Sequence, residues 1–273
     1  MTAPSMNETT AIVFGGSSGL GLTIASELAK RGVRLLIVGR DQERLAKAVQ
    51  LIEPFAQHVV EVLAFDVVRG DTEALRKELD RRFRSVHLIV NAVGRSDRGQ
   101  LLQIGDEELV DLFRDNVLSM LHGVSASRQL LANARGCVVN IGSLASLFAA
   151  SGLGGYAVAK FGLAAATQQL RLELSADGIH CLLVCPGPIA DGRTTSRYAE
   201  LAEKRGLSEE ATQPGGGAKV RGLDGARLAS EIISVAMARR KTLLVRPRKA
   251  RLLLTVMGVS QRVGEWLLGK FSG

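Results

Sequence analysis

The chain is poor in aromatic residues, cysteine and histidine. Phe, Trp and Tyr together make up 4% of its 273 residues, with a single Trp and two Tyr. Binding unpaired bases calls for aromatic side chains interleaved with basic ones. The chain has no such stretch, so nucleic acid is not an expected partner despite a net charge of +8. The three cysteines, Cys137, Cys181 and Cys185, are odd in number. Cys181 and Cys185 share a strand face, but no third or fourth ligand accompanies them at metal spacing. They read as small core residues, with neither a disulfide framework nor a metal site expected. The histidines at 58, 87, 122 and 180 are scattered and take no catalytic role. No apolar run reaches the ~18 residues of a spanning helix. No segment reads as a secretory signal, so a cytoplasmic location is expected.

Glycine and aliphatic residues are plentiful: 30 glycines, and 46% of the chain hydrophobic. That is enough for one large α/β core. Unbroken apolar runs such as RLLIVG, HLIVNAV and CVVNIGS alternate with amphipathic stretches. Such runs are the mark of strands covered on both faces. The pattern predicts strands near 10–14, 33–39, 58–65, 86–91, 136–142, 179–185 and 242–245. Helices are predicted near 19–31, 41–53, 71–83, 106–133, 155–176 and 225–239. A repeated βα order gives a doubly wound, predominantly parallel sheet of seven strands with helices on both faces. The expected organisation is one domain over 1–250 and an amphipathic helical extension over 251–273.

Two local patterns carry chemistry. The turn Gly15-Gly16-Ser17-Ser18-Gly19-Leu20-Gly21 follows the apolar run Ala11–Phe14 and opens an amphipathic helix. Strand, glycine turn and helix form the setting of a dinucleotide site: glycines let the backbone approach a pyrophosphate, and the helix N-terminus offers N–H donors. Tyr156 and Lys160, four residues apart in GGYAVAK, share a helix face and can point into one pocket. A cation beside a phenol favours its deprotonated form, which suits proton transfer between a carbonyl and an alcohol. At the end of the second predicted strand stand Gly39 and Arg40, where an acidic residue would bind the ribose diol of NAD. Arg40 can fork onto a 2′-phosphate instead, which points to NADP(H). It can also simply begin a solvated loop, with Asp41 as a helix N-cap.

Taken together, these residues resemble the short-chain dehydrogenase/reductase family over roughly residues 9 to 190. The family's glycine motif matches Gly15, Gly19 and Gly21, and its Asn-Asn-Ala-Gly segment appears as Asn91-Ala92-Val93-Gly94. Its four catalytic positions match Asn116, Ser143, Tyr156 and Lys160, with Tyr156 thirteen residues after Ser143. Its Pro-Gly motif appears as Pro186-Gly187-Pro188-Ile189. The resemblance implies a Rossmann-type fold and a cofactor held by Gly15, Ser17, Ser18, Gly19, Leu20, Gly21, Arg40, Asp66, Val67, the 91–94 segment, Tyr156, Lys160, Pro186, Gly187 and Ile189. Asp66-Val67 resembles the pair that contacts the adenine. By the same resemblance Ser143 stabilises the substrate oxygen, Tyr156 moves the proton, Lys160 holds the nicotinamide ribose, and Asn116 kinks its helix and positions a water. A homodimer or homotetramer is implied as well. Three positions depart from the pattern: Phe14 replaces a Thr, Ala92 replaces the second Asn, and Asp191 stands where a Thr is common.

The variable loop over 188–224 should set the substrate. Its Gly/Pro-rich piece reads as a lid. Leu144, Leu147, Phe148, Leu153 and Ile189 make an apolar wall, which points to a hydrophobic ketone or aldehyde and its alcohol, such as a long-chain 3-keto lipid, a steroid-like ketone or a retinoid-like aldehyde. From Arg239 to Gly273 there are nine Lys or Arg against one acid, Glu265. With Leu252, Leu253, Val256, Met257, Val259, Val263, Trp266, Leu267 and Phe271, this tail reads as peripheral membrane contact, as a lid over the substrate mouth, or as packing on the same or a neighbouring subunit. The expected activity is NADPH-dependent carbonyl reduction. A non-catalytic NADP(H)-binding sensor and an alcohol-oxidising NAD(P)+ dehydrogenase are the alternatives.

Overall fold

Seven apolar runs become the seven strands of one parallel sheet. They are β1 (Thr10–Phe14), β2 (Arg34–Gly39), β3 (Glu61–Ala64), β4 (Leu88–Asn91), β5 (Cys137–Ile141), β6 (His180–Pro186) and β7 (Leu243–Arg246). The computed structural model describes residues 6–190, 222–260, 262–264 and 266. Strand order is β3-β2-β1-β4-β5-β6-β7, so the chain reverses its direction of travel between β1 and β4. That reversal opens a crevice at the carboxyl ends of the strands, where open α/β sheets bind ligands.

The helices are α1 (Gly19–Lys30), α2 (Gln42–Ile52), α3 (Thr72–Arg82), α4 (Asp106–Phe113), α5 (Ser119–Ala134), α6 (Gly154–Glu173), α7 (Gly225–Ala238) and α8 (Lys249–Val259). Aspartates start several of them by accepting from orphan N–H groups: Asp41 from Arg44 N at 3.0 Å, Asp71 from Glu73 N at 2.9 Å and Asp224 from Arg227 N at 2.9 Å. Alternation along β1 splits the core into two layers. Ala11 and Val13 join Ile24, Leu28, Leu45 and Ile232 of α1, α2 and α7. Ile12 and Phe14 join Leu75, Leu79, Val124 and Leu163 of α3, α5 and α6.

Two sequence expectations change. The helix predicted over 106–133 is interrupted by a π-helical stretch, Arg114–Leu118. The Asn116 side chain donates to the carbonyl of Leu112 at 2.9 Å, taking an acceptor that the regular ladder uses, and an extra residue bulges out. The extension expected as one helix over 251–273 begins earlier, at Lys249, and α8 stops at Ser260, whose backbone is extended (φ −150°, ψ 107°). Ala250, assigned from sequence to the preceding domain, is therefore part of this helix and packs in the core beside Phe148, Leu183 and Val245. Glu265, Leu267, Gly269 and Phe271 lie outside the described residues, as do Asp191, Thr194, Thr195 and most of the 188–224 loop.

Candidate active site

Because every strand is parallel, the turns after β1, β2, β4, β5 and β6 meet at one edge of the sheet. At the first turn Gly15 adopts φ +79°, and a Cβ there would stand 2.9 Å from Val93 N and 3.0 Å from the Ala92 carbonyl carbon. The turns after β1 and β4 thus touch backbone to backbone. A side chain on Gly21 would collide with the Gly15 carbonyl oxygen. Gly19, at φ +53°, is the opposite case: no atom lies within 4 Å of where its Cβ would be. It is the first residue of α1, so amide donors and the positive end of the helix face open ground beside a backbone that can be approached closely. This cradle fits the pyrophosphate of a dinucleotide.

At the end of β2, Ser17 Oγ lies 3.1 Å from the Cβ position of Gly39, and Arg40 is exposed. Asp41 caps α2 and pairs with Arg44, so the carboxylate that follows Arg40 is engaged with its own helix. After β3, Asp66 Oδ1 accepts from Val68 N at 2.9 Å and from Arg69 N at 3.3 Å, which shapes the turn. The Val67 carbonyl lies 2.9 Å from His122 Nδ1, tying this turn to α5.

The proton-transfer candidates converge across β4, β5 and α6. Lys160 is buried; its Nζ donates to the Ile141 carbonyl at 3.1 Å and lies 5.7 Å from the centre of the Tyr156 ring. Burial pushes the Lys160 pKa down to about 8, with the Cys185 thiol acting in the opposite sense. The Tyr156 ring packs with Ala145, Leu153 and Ala157. Asn116 Nδ2 also donates to the Arg95 carbonyl at 2.9 Å, while its buried Oδ1 has no hydrogen-bond partner among the described residues. A Cβ on Gly94 would lie 2.6 Å from that Oδ1 and 3.5 Å from Lys160 Nζ, so both groups close on one glycine.

Ser143 follows β5 and caps a single turn, Leu144–Ser146. Its Oγ accepts from Ala145 N at 3.2 Å, which leaves the O–H available to donate outward. Its own N–H donates to Ser146 Oγ at 3.1 Å. The Cys185 thiol lies against Ser146, and burial, the dominant cause, pushes it up to about 12, so it stays protonated. On the opposite wall Gly187 N donates to the Arg246 carbonyl at 2.7 Å, with Leu144 facing it, and Ile189 bridges to Leu223. The structure therefore brings Asn116, Tyr156, Lys160 and the Gly94 turn together, and sets Ser143 on the turn that packs against α6.

Sequence reasoning missed the supports behind these groups. Asn91 Nδ2 donates to Asn140 Oδ1 at 2.8 Å, Asn140 to Thr167 Oγ1 at 3.0 Å, and Thr167 to the Leu163 carbonyl at 2.7 Å. This buried chain fastens β4, β5 and α6. An Asn within the apolar run CVVNIGS was the available signal. Ser146, three residues after Ser143, matched a capping-box spacing. The departure at Phe14 also has a counterpart: a Cβ on Gly123 would lie 3.1 Å from the Phe14 ring, so the large side chain occupies space that this glycine leaves.

The family described as short chain dehydrogenase matches residues 9–202. A ketoacyl reductase of the granaticin polyketide synthase of Streptomyces violaceoruber is 32% identical over 209 residues, covering 74% of this chain and 75% of that one. The 3-oxoacyl-acyl-carrier-protein reductase of Bos taurus is 31% identical over 194 residues, covering 70% and 80%. Among solved structures, an actinorhodin polyketide ketoreductase variant with NADPH aligns with TM-score 0.74 at 24% identity, covering 88% of this chain and 96% of that one. NAD+-bound xylitol dehydrogenase aligns with TM-score 0.79 at 20% identity, covering 89% and 99%. These two show the shared fold. With the family match running over most of the chain, from the glycine turn through Tyr156 and Lys160, this protein belongs to the short-chain dehydrogenase family of oxidoreductases.

Proposed function

We propose that the chain is an NADPH-dependent oxidoreductase that interconverts a hydrophobic ketone or aldehyde with its alcohol. The observation that carries this reading is the convergence of Asn116 Oδ1 and Lys160 Nζ on Gly94, with the Tyr156 ring beside the ammonium. NADPH held at the turn of Gly15, Gly19 and Gly21 would supply the hydride. The Tyr156 hydroxyl delivers a proton to the carbonyl oxygen, and Ser143 donates a hydrogen bond to that oxygen as charge builds on it. Lys160, held by the Ile141 carbonyl, keeps a positive charge beside the phenol and a donor for the ribose hydroxyls. Asn116 Oδ1 accepts from a water that returns a proton towards Lys160 and Tyr156. In the oxidising direction the same groups act in reverse order.

Arg40 at the exposed end of β2, with Asp41 committed to its cap, supports NADP(H) over NAD(H). Leu144 and Leu147, only partly buried beside Ser143, support an apolar substrate. The ketoacyl reductase relatives favour a 3-oxoacyl compound within that class. Val110 and Phe113 of α4 and Val158 and Phe161 of α6 are exposed, which supports pairing of these helices in a homodimer or homotetramer. Three buried free thiols suit a reducing compartment such as the cytoplasm.

Turnover of a panel of apolar ketones with NADPH, in wild type and Tyr156→Phe, tests the reading. The variant should lose about 10²–10⁴-fold in kcat while keeping its NADPH affinity. A wild type that binds NADPH but reduces no ketone and oxidises no alcohol would make the chain a cofactor sensor.

A further inference from the structure

The C-terminal segment carries a second surface, of different character from the cleft. Residues 239–273 hold nine Lys or Arg and one acid, a net +8 that equals the charge of the whole chain, so the remainder is balanced. Only part of this segment is used internally. Leu253, Leu254 and Met257 of α8 pack against the cluster of Phe148, Leu183 and Val245. Arg246 pairs with Glu231 and is partly buried. Facing outward, Leu252 is 72% and Val259 87% exposed; past the break at Ser260, Val263 is 47% and Trp266 58% exposed. Leu252 and Val259 are two helical turns apart and share a side, with Arg248 one turn before Leu252. Arg248, Lys249, Arg251 and Arg262 are exposed around them. Desolvation lowers the Arg246 pKa first, and the like charges of Arg248 and Arg251 lower it further, so the local field is positive.

We propose that this face docks on an anionic lipid bilayer, with Leu252, Val259, Val263 and Trp266 seated in the headgroup boundary and Arg248, Lys249, Arg251 and Arg262 against lipid phosphates. Large apolar side chains ringed by exposed arginine and lysine are the composition of an interfacial helix, whose long basic side chains reach back to the headgroups. No helix among the described residues is long and apolar enough to cross a membrane. A second copy of the chain is the poorer occupant. Two-fold pairing of this face would set the same basic residues against each other and build repulsion into the contact. Because β7 is parallel to the other strands, α8 begins at the edge that carries Ser143 and the glycine turn. Docking therefore turns that edge towards the lipid, from which an apolar substrate can enter without crossing water. The docking stands on the segment itself, and its test reads no turnover, so it can fail while the reductase reading holds.

The test uses the full chain with vesicles of phosphatidylcholine alone and of phosphatidylcholine mixed with phosphatidylserine, read by cosedimentation and by fluorescence. Trp266 is the only tryptophan, so emission reports on this face alone. Expected are binding to the mixed vesicles, a blue shift of the emission, and release by salt. Arg248→Gln with Arg251→Gln should weaken partition about twenty-fivefold, each charge contributing about fivefold. Leu252→Asp with Val259→Asp, both at exposed positions, should abolish binding with no change in melting temperature. The proposal is overturned by absence of cosedimentation with the mixed vesicles, or by equal binding to phosphatidylcholine alone. Self-association on a sedimentation run that the aspartate pair abolishes would also overturn it, by assigning the face to a second copy.

Discussion

The Nζ of Lys160 lies 5.7 Å from the centre of the Tyr156 ring, one helical turn away along α6. The spacing sets this distance, but the environment makes it consequential. Lys160 is buried beneath the Gly94 turn and held by the carbonyl of Ile141, so its charge faces little water and acts at short range on whatever binds beside the phenol.

That burial has a pH signature. Lys160 has its pKa pushed from 10.5 down to about 8. Between those two values the unfolded chain binds the proton more tightly than the folded one, so this residue's contribution to stability rises with pH across that window. Below about pH 8 the penalty is constant and full. Lys160→Met should therefore be more stable than wild type near pH 7, by up to a few kcal/mol. The advantage should shrink as pH rises from about 8 to 10.5. Urea midpoints across that range check this, and a pH-independent gap would mean that Lys160 is solvated.

Gly94→Ala should damage chemistry more than folding. A methyl group there would stand 2.6 Å from Asn116 Oδ1, so the amide must move from its place beside Lys160. A displacement on that scale is worth about a hundredfold in kcat. Single-turnover rates and circular dichroism of the variant separate the two effects.

Ser146 acts on Ser143 through the main chain. Ser146→Ala removes the acceptor of Ser143 N–H in a buried place. A loss of about 1–2 kcal/mol in stability is expected. A fall of about tenfold in kcat, with NADPH affinity unchanged, should accompany it as the Ser143 hydroxyl loses its fixed bearing.

Arg40→Ala addresses cofactor choice. Loss of a charge-assisted contact to a 2′-phosphate should weaken NADPH binding by about 10–100-fold and leave NADH almost unchanged. Fluorescence titration of both cofactors decides it. Equal weakening of the two would assign Arg40 to the loop alone, and stronger NADH binding in wild type would move the search towards alcohol oxidation.

Much of the site was legible because its key relations are local. The glycine turn sits between one strand and one helix, and Tyr156 and Lys160 are four residues apart on α6. The inner strands were legible too, since a strand covered on both faces must be apolar throughout, while the edge strand β3 is half-exposed and carries Glu61. What escaped are contacts between residues distant in sequence. Asn91 and Asn140 are register partners on β4 and β5, yet 49 positions separate them. The Phe14 departure becomes intelligible only with Gly123 of α5 opposite its ring. The end of α8 at Ser260 was hidden for a different reason: apolar residues continue past it and mimic an unbroken helical period.

By itself the amino-acid sequence determined the α/β alternation, the glycine-rich turn between the first strand and helix, the i,i+4 spacing of a phenol and an ammonium, and the positive charge of the C-terminal segment. Each of these follows from residue type and short spacing. The tertiary structure alone decided that Asn116 and Lys160 meet at Gly94, that Ser143 is oriented by Ser146, and which side of α8 faces outward. Those outcomes depend on how strands register and helices pack, where small differences between large opposing energies select one arrangement, and no local pattern encodes that balance.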